Sequence, residues 1–467
     1  MGEYHKPKDN KTNSGKEKFG AFLKSKFFIP FHLSLRNTPF QLLKIVPKIF
    51  IKRKPFLLPK KSFLETEYHF GYNPKEAWEG LMEEKRKDRF IPLHRPYFTP
   101  EEEEAVLSVL KSTRIGGNGP ITKKVEEMLA KLTSSPYALL TTSCTHALEM
   151  GVMCFNISPG DEVILPSFAY VSAANAIVRE GGKPVFAEID PDTLNLDPKD
   201  AEQRITKKTR GFILIHYAGI PCDMDAFKKL AEKYGLFIIE DAAQGIGARY
   251  KGKHLGAIGD VGCISFHETK NITCGEGGAF LTGREDLFHK AEIIREKGTN
   301  RSAFLRGEMD KYSWAGVGSS FIPSELLAAL LEVQLKRLEM VNERRGRIYH
   351  FYQERLSELE EKGKIRLPKI PDYATPNYHI FYFLMENEEL TDKVLGRLRS
   401  RGIGATFHFV PLHSSPYGRE VLGYREEDFP LTNRVSRSLI RLPLFPELTE
   451  EEINYIVEEV KRAILEV

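Results

Sequence analysis

Residues 236–247 read LFIIEDAAQGIG, and residues 265–278 read SFHETKNITCGEGG. The first is an unbroken apolar run that closes on Asp241. The second follows a similar run, GCISF, and carries Ser265 and Lys270 ahead of a glycine-rich turn. Short apolar runs of this kind, bounded by turn residues, fit strands buried on both faces. YALLTT, EVILPSF, KPVFAEI and RGFILIHY are further strands of the same type, and HALEMGVMCF and MDAFKKLAEKYG, which lie between them, carry apolar residues at helical spacing. Strands alternating with helices predict an α/β fold with a large, doubly wound, mostly parallel sheet over residues 91–345. Thr99-Pro100-Glu101 reads as a helix start, with a threonine cap, proline in the first turn and acids facing the positive helix end. A long helical stretch over residues 326–359 leads into a smaller C-terminal α+β domain, residues 346–467.

Size and composition narrow the class. A chain of 467 residues with 41% hydrophobic and 28% charged residues has ample material for two or three globular domains. The five cysteines, Cys144, Cys154, Cys222, Cys263 and Cys274, include no CxxC pair, which argues against a disulfide framework or a structural zinc site. No metal is expected. No apolar segment is long enough to span a bilayer and no secretory signal opens the chain, so a cytoplasmic location is expected.

Residues 1–90 read as a basic, amphipathic extension. Its first 64 residues hold 15 Lys or Arg against 3 Asp or Glu. Residues 1–18 are too polar to offset their chain entropy and are expected to be disordered. From Phe19 to Leu58, phenylalanine, leucine and isoleucine alternate with lysine. That pattern suits peripheral contact with an anionic membrane surface, or packing on the body or on a partner. Nucleic-acid binding is not expected, because no base-stacking or groove-reading module accompanies the charge.

The chemistry lies at the strand ends, where ligands of such sheets bind. An amine can form an imine with an aldehyde cofactor, and a carboxylate can keep a pyridine nitrogen protonated, so Lys270 and Asp241 together point to pyridoxal phosphate. Desolvation of Lys270 would supply the free amine near neutral pH. Ser143-Cys144-Thr145-His146 opens a helix after YALLTT, a place suited to a phosphate. Tyr170 follows EVILPSF and can stack on a ring. Gln244 lies one turn beyond Asp241.

With these residues the chain resembles the DegT/DnrJ/EryC1/StrS family of sugar aminotransferases, pyridoxal-phosphate enzymes of fold type I, from about Ile91 to the C-terminus. The resemblance is carried by TSCTHALEM, LPSFAYVSAANA, HYAGIPCDMD, EDAAQGIGARYKGKHLGAIGDVGCISFHETKN, EIIREKGTNRSAFLRGEMDKYSW and RLPLF. It implies that Lys270 forms the imine, Asp241 pairs with the pyridine nitrogen, Tyr170 stacks on the ring and Gln244 lies near the cofactor hydroxyl. Thr145, His146 and Ser265 would hold the phosphate. His216, Arg295, Lys297, Arg301 and His413 are candidates for the diphosphate or sugar.

Three departures stand out. The family presents an asparagine to the partner subunit's cofactor, whereas GVGSSFIPSELLAAL has none, leaving Ser319 and Ser320 as substitutes. Glu325 and Leu327 replace the usual aspartate and glutamine. FHFVPLH has Phe409 where tyrosine is usual.

The implied reaction is ping-pong transfer from L-glutamate to the 4-keto group of a nucleotide-linked 4-keto-6-deoxyhexose, with dTDP-4-keto-6-deoxy-D-glucose as the expected acceptor, for cell-surface polysaccharide synthesis. A homodimer with a shared active site is implied as well. The alternatives are transfer to another keto-sugar, a related dehydratase, or a non-catalytic, membrane-associated binding protein. The dehydratase would carry histidine at position 270, and the intact Asp241, Ser265 and Lys270 disfavour the binding protein.

Overall fold

The computed structural model describes residues 90–467. The basic extension, with its expected disorder and membrane contact, lies outside the described residues. The central sheet contains β1 (Tyr137–Thr141), β2 (Glu162–Pro166), β3 (Lys183–Ala187), β4 (Thr209–Ile215), β5 (Phe237–Asp241), β8 (Val261–Ser265) and β9 (Gly278–Thr282). The two-residue strands β6 (Arg249–Tyr250) and β7 (Lys253–His254) form a separate hairpin, joined by β10 (Ala374–Thr375). The order across the large sheet is β1-β9-β8-β5-β4-β2-β3. From β8 to β3 the pairing is parallel, while β9 runs antiparallel to both its neighbours. The C-terminal ends of β1, β2, β4, β5 and β8 therefore share one edge.

Alternate side chains of these strands enter opposite layers. Leu139, Val163 and Ile213 pack on one face, and Leu140, Ile164 and Phe212 on the other. Both faces are covered by helices, which explains why the strands read as continuous apolar runs. Phe212 is fully buried and meets Phe227, from the helix Met224–Tyr234, edge to face at 5.3 Å.

The expected helix start is present. Thr99 caps Pro100–Ser112 in a capping box with Glu102, whose carboxylate also accepts from Gln334 Nε2 and Arg337 Nη1, both at 2.6 Å. Arg337 is the point at which the long helical stretch divides, into Glu325–Lys336 and Leu338–Glu361.

Glu325, one of the departures, has a structural task. The helix Pro120–Thr133 starts at Gly119, which offers no side-chain cap. The Glu325 carboxylate accepts instead from the amides of Gly119, Ile121 and Thr122 at 2.9–3.1 Å. A Cβ on residue 119 would lie 2.6 Å from that carboxylate, so glycine permits the approach and the acid compensates the positive helix end.

The helix Leu338–Glu361 passes without a break through residue 345, the expected domain boundary, and leads to a two-stranded antiparallel sheet of β11 (Phe381–Leu384) and β12 (Leu439–Leu442). Tyr352, Phe381, Phe383, Ile440 and Val457 form its core with the helices Glu388–Ser400 and Glu450–Leu465. Ile91 pairs with the loop at Gly402–Gly404 through two 2.8 Å backbone bonds. Among the described residues no helix is long and apolar enough to cross a membrane.

Truncating Phe212 to alanine removes a ring with no access to water. The variant should lose about 3–5 kcal/mol of stability, read as a lower denaturant midpoint in urea unfolding.

Candidate active site

The shared strand edge opens into a cavity of about 500 Å³, within the usual range for small-ligand sites. Five strand ends supply one wall: Ser143, Cys144 and Thr145 after β1, Tyr170 and Ser172 after β2, Ile215 of β4, Asp241 of β5 and Ser265 of β8. Lys270 enters from the loop after β8. That loop is folded back on itself by backbone bonds from Lys270 to His267 (2.9 Å), Phe266 to Gly277 (2.9 Å) and Cys274 to Phe266 (3.1 Å).

Lys270 and Asp241 sense one another's charge. Desolvation holds the Lys270 amine below the usual lysine range, against the raising influence of Cys144 and Asp241. Desolvation also raises the Asp241 carboxyl, opposed by the Ala243 amide, which donates to Oδ1 at 3.1 Å, and by Lys270. Among the described residues the Lys270 ammonium has no hydrogen-bond partner. Gln244 accepts from the Ala218 amide at 2.7 Å through its side-chain oxygen, which fixes its side chain at the cavity wall.

An anion cradle adjoins this pair. The helix Cys144–Cys154 starts at the cavity; Ser143 Oγ takes the His146 amide at 3.1 Å, and the remaining first-turn amides have no partner within the helix. Thr145 Oγ1 and Ser172 Oγ stand 2.7 Å apart, and Ser265, the last residue of β8, lines the same cavity. Gly278 pairs with both Thr141 and Ser265 and lies beneath the helix start. A Cβ there would be 2.4 Å from the Cys144 nitrogen, so only glycine allows the helix end to come this close. A desolvated amine, a buried carboxylate and a helix-end cradle around one cavity fit pyridoxal phosphate. Tyr170 remains 63% exposed at the rim.

The second wall is formed by residues that the sequence reading did not nominate: His94, Arg345, His379, His408 and Arg441. Phe409, read as a departure, also lines it and stacks on His408 at 3.8 Å. For Arg441 a signal existed, because a charge interrupts the apolar run LIRLPLF.

Several expected ligand residues stand apart from this cavity within the single chain. His146 turns its ring from the cavity toward Thr142 Oγ1 and Phe321. His216 is fully buried, with Nε2 at 2.9 Å from Glu240 and Nδ1 accepting from the Cys222 amide at 3.1 Å. Arg295 is likewise interior, held by Glu126, the Leu140 carbonyl and Asn118. His413 is buried against Ser167 Oγ at 2.6 Å. Lys297, Arg301, Ser319 and Ser320 are exposed on the residue 297–320 segment and do not line the cavity.

A mostly parallel sheet with such a site at its strand ends is the fold type I architecture of aminotransferases. The DegT/DnrJ/EryC1/StrS aminotransferase family model matches residues 96–461. An uncharacterized protein of Methanocaldococcus jannaschii is 36% identical over 386 residues, covering 81% of this chain and 99% of that one. The spore coat polysaccharide biosynthesis protein SpsC of Bacillus subtilis is 32% identical, covering 81% and 98%. A Streptococcus pneumoniae protein provisionally assigned as a sugar aminotransferase, solved in its PMP form, superposes with a TM-score of 0.76 at 28% identity, covering 81% of this chain and 98% of its own; a PLP form has also been solved. The chain belongs to the DegT/DnrJ/EryC1/StrS aminotransferase family, of which pyridoxal phosphate is characteristic.

Two outcomes test the site. Gly278→Val forces the helix start away from the cradle, and affinity for inorganic phosphate should fall at least about tenfold in calorimetric titration. Because desolvation lowers the Lys270 pKa and Asp241 raises it, Asp241→Asn should move the titration midpoint of that amine to lower pH, measured by competitive labelling with acetic anhydride.

Proposed function

We propose that this chain is a pyridoxal-phosphate-dependent sugar aminotransferase. It moves the amino group of L-glutamate to the 4-keto carbon of a nucleotide-linked 4-keto-6-deoxyhexose, with dTDP-4-keto-6-deoxy-D-glucose as the first candidate. The observation that carries this reading is the convergence of a desolvated amine, Lys270, and a buried carboxylate, Asp241, on one cavity beside a helix-end anion cradle. Family membership supports the reaction class, and the name of SpsC supports a role in polysaccharide biosynthesis.

When bound, pyridoxal phosphate supplies an aldehyde that takes up the amino group and a ring that accepts the electron pair left when a neighbouring C–H bond breaks. Thr145, Ser265 and the amides opening Cys144–Cys154 would hold its phosphate, and Tyr170 would cover its ring. Asp241 would pair with the ring nitrogen, and a cation there favours the ionised carboxylate. Lys270 would act twice: its neutral amine would hold the aldehyde, and when free its Nζ would carry a proton between the donor carbon and the aldehyde carbon. Gln244 would lie beside the cofactor hydroxyl, its orientation fixed by the Ala218 amide.

The proposal includes a homodimer and a division into a large domain, residues 91–345, and a small one, residues 346–467. Apolar side chains left facing water support the dimer: Trp314 is 83% exposed and Val317 77%, on the segment that also bears Lys297, Arg301, Ser319 and Ser320. In the dimer these four residues would complete the site, the serines standing in for the family's asparagine.

Purified protein incubated with L-glutamate and dTDP-4-keto-6-deoxy-D-glucose should yield an aminated sugar identifiable by mass and NMR, and borohydride should fix the cofactor on the Lys270 peptide. Absence of any aminated sugar from cofactor-loaded protein refutes this acceptor, and absence of label at Lys270 refutes the cofactor site.

A further inference from the structure

One histidine of the second wall is held so that a single ring nitrogen is left for a ligand. His408 stacks on Phe409 at 3.8 Å, which fixes the plane of its ring. Within that plane, Nδ1 stands 2.7 Å from the Tyr217 hydroxyl. Tyr217 is 1% exposed, on the turn after β4, and its ring packs against Phe168 and Tyr382. Its amide donates to Asn195 Oδ1 at 2.8 Å, so the backbone that carries the phenol is anchored as well. Nε2 lies across the imidazole from Nδ1, has no hydrogen-bond partner among the described residues, and belongs to a ring that lines the cavity.

The Tyr217 contact settles which nitrogen carries the proton. Burial pushes the Tyr217 phenol well above its ordinary range. Desolvation, aided by the charges of Arg441 and Lys270, holds the His408 ring well below its own. Both groups are therefore neutral near physiological pH, with one proton each. Were the imidazole proton on Nδ1, it would donate to the phenol oxygen, and the phenol's own proton would have no acceptor among the described residues. Burying a donor in that way is costly. The phenol therefore donates to Nδ1, and the imidazole proton sits on Nε2.

This N–H belongs to a ring close enough to Lys270 to feel its charge, so it stands near the reacting carbon. Both half-reactions of an amino transfer pass through a ketone at that carbon: the amino-acid donor becomes a keto acid, and the acceptor is a keto-sugar. A carbonyl oxygen gains negative charge when its carbon is attacked, and a fixed neutral donor aimed at it stabilises that charge without reorganising. We propose that Tyr217 locks His408 with its proton on Nε2, and that this N–H donates to the carbonyl oxygen of the keto compound at the carbon that exchanges the amine. His408 is the group in contact and Tyr217 a positioning residue; the inference rests on the aminotransferase reading above.

Nitrogen NMR of the cofactor-loaded full chain with labelled histidine tests the lock without turnover. The His408 signals, assigned by their loss in His408→Gln, should show Nε2 protonated and Nδ1 bare. Tyr217→Phe should give a mixture of the two tautomers, with its fold checked by urea unfolding. 2-Oxoglutarate, which has no amine to accept from the aldehyde form of the cofactor, should shift the Nε2 signal, and glutarate, which lacks the ketone, should shift it much less. In single-turnover measurements, transfer from amine-loaded protein to the keto-sugar should slow about 100-fold in His408→Leu and about tenfold in Tyr217→Phe. His408→Gln, whose amide restores a donor, should recover most of the loss. A proton on Nδ1 in wild type overturns the assignment, as does an unchanged tautomer in Tyr217→Phe, an Nε2 signal that treats the two ligands alike, or a rate in His408→Leu equal to wild type. If the tautomer and the ketone-dependent shift are found but amine-loaded wild type aminates no keto-sugar, the His408 contact stands and the transfer function falls.

Discussion

Desolvating an ammonium and a carboxylate in one cavity is favourable only if their carriers are fixed side by side, and here the fixing is done by the pairing of β5 with β8. Asp241 stands opposite Cys263 in that register, and the Ala242 amide donates to the Cys263 carbonyl at 2.9 Å. Slipping one strand by a residue would turn Asp241 into a hydrophobic layer. The register is locked from behind as well. Glu240, fully buried beside Asp241, accepts from the amides of Gly256, Ile258 and Gly259 at 2.6–2.9 Å. Burial pushes its carboxyl up, but the bond from His216 and those amides outweigh it and hold the group below its ordinary range.

This network explains why some charged residues mislead when read alone. His216, Arg295 and His413 have the chemistry of phosphate ligands, yet each bonds internally to a partner between 24 and 246 positions away in the chain. A linear sequence marks the polar side chain and not the remote partner that holds it. Glu325 is the mirror case, a carboxylate whose three amide donors lie more than 200 residues upstream.

Local pattern was informative where the local environment decided the outcome. Six of the seven strands of the main sheet follow from apolar runs, because a strand covered on both faces needs no polar alternation. The seventh, β9, escaped, since Gly277 and Gly278 at its start read as turn residues. The structure uses that glycine for close approach instead of a turn. Asp241 and Lys270 were visible at strand ends. The far wall was not, because Arg345, His379, His408 and Arg441 come from a helix, two loops and an edge of the small sheet, and no single periodicity links them. Only the interruption of an apolar run by Arg441 offered a local clue.

The helix Leu338–Glu361 has a consequence for the size of molecule the cavity admits. One rigid rod starts at the Glu102–Arg337 ion pair beside the large sheet, carries Arg345 into the far wall and continues into the core of the small sheet. The gap between the walls is therefore measured off in helical turns of about 5.4 Å. A single inserted residue ahead of Arg345 would swing that side chain by about 100°. Relatives acting on bulkier sugars are thus expected to differ in the tilt or phase of this rod, and not merely in the side chains that touch the substrate.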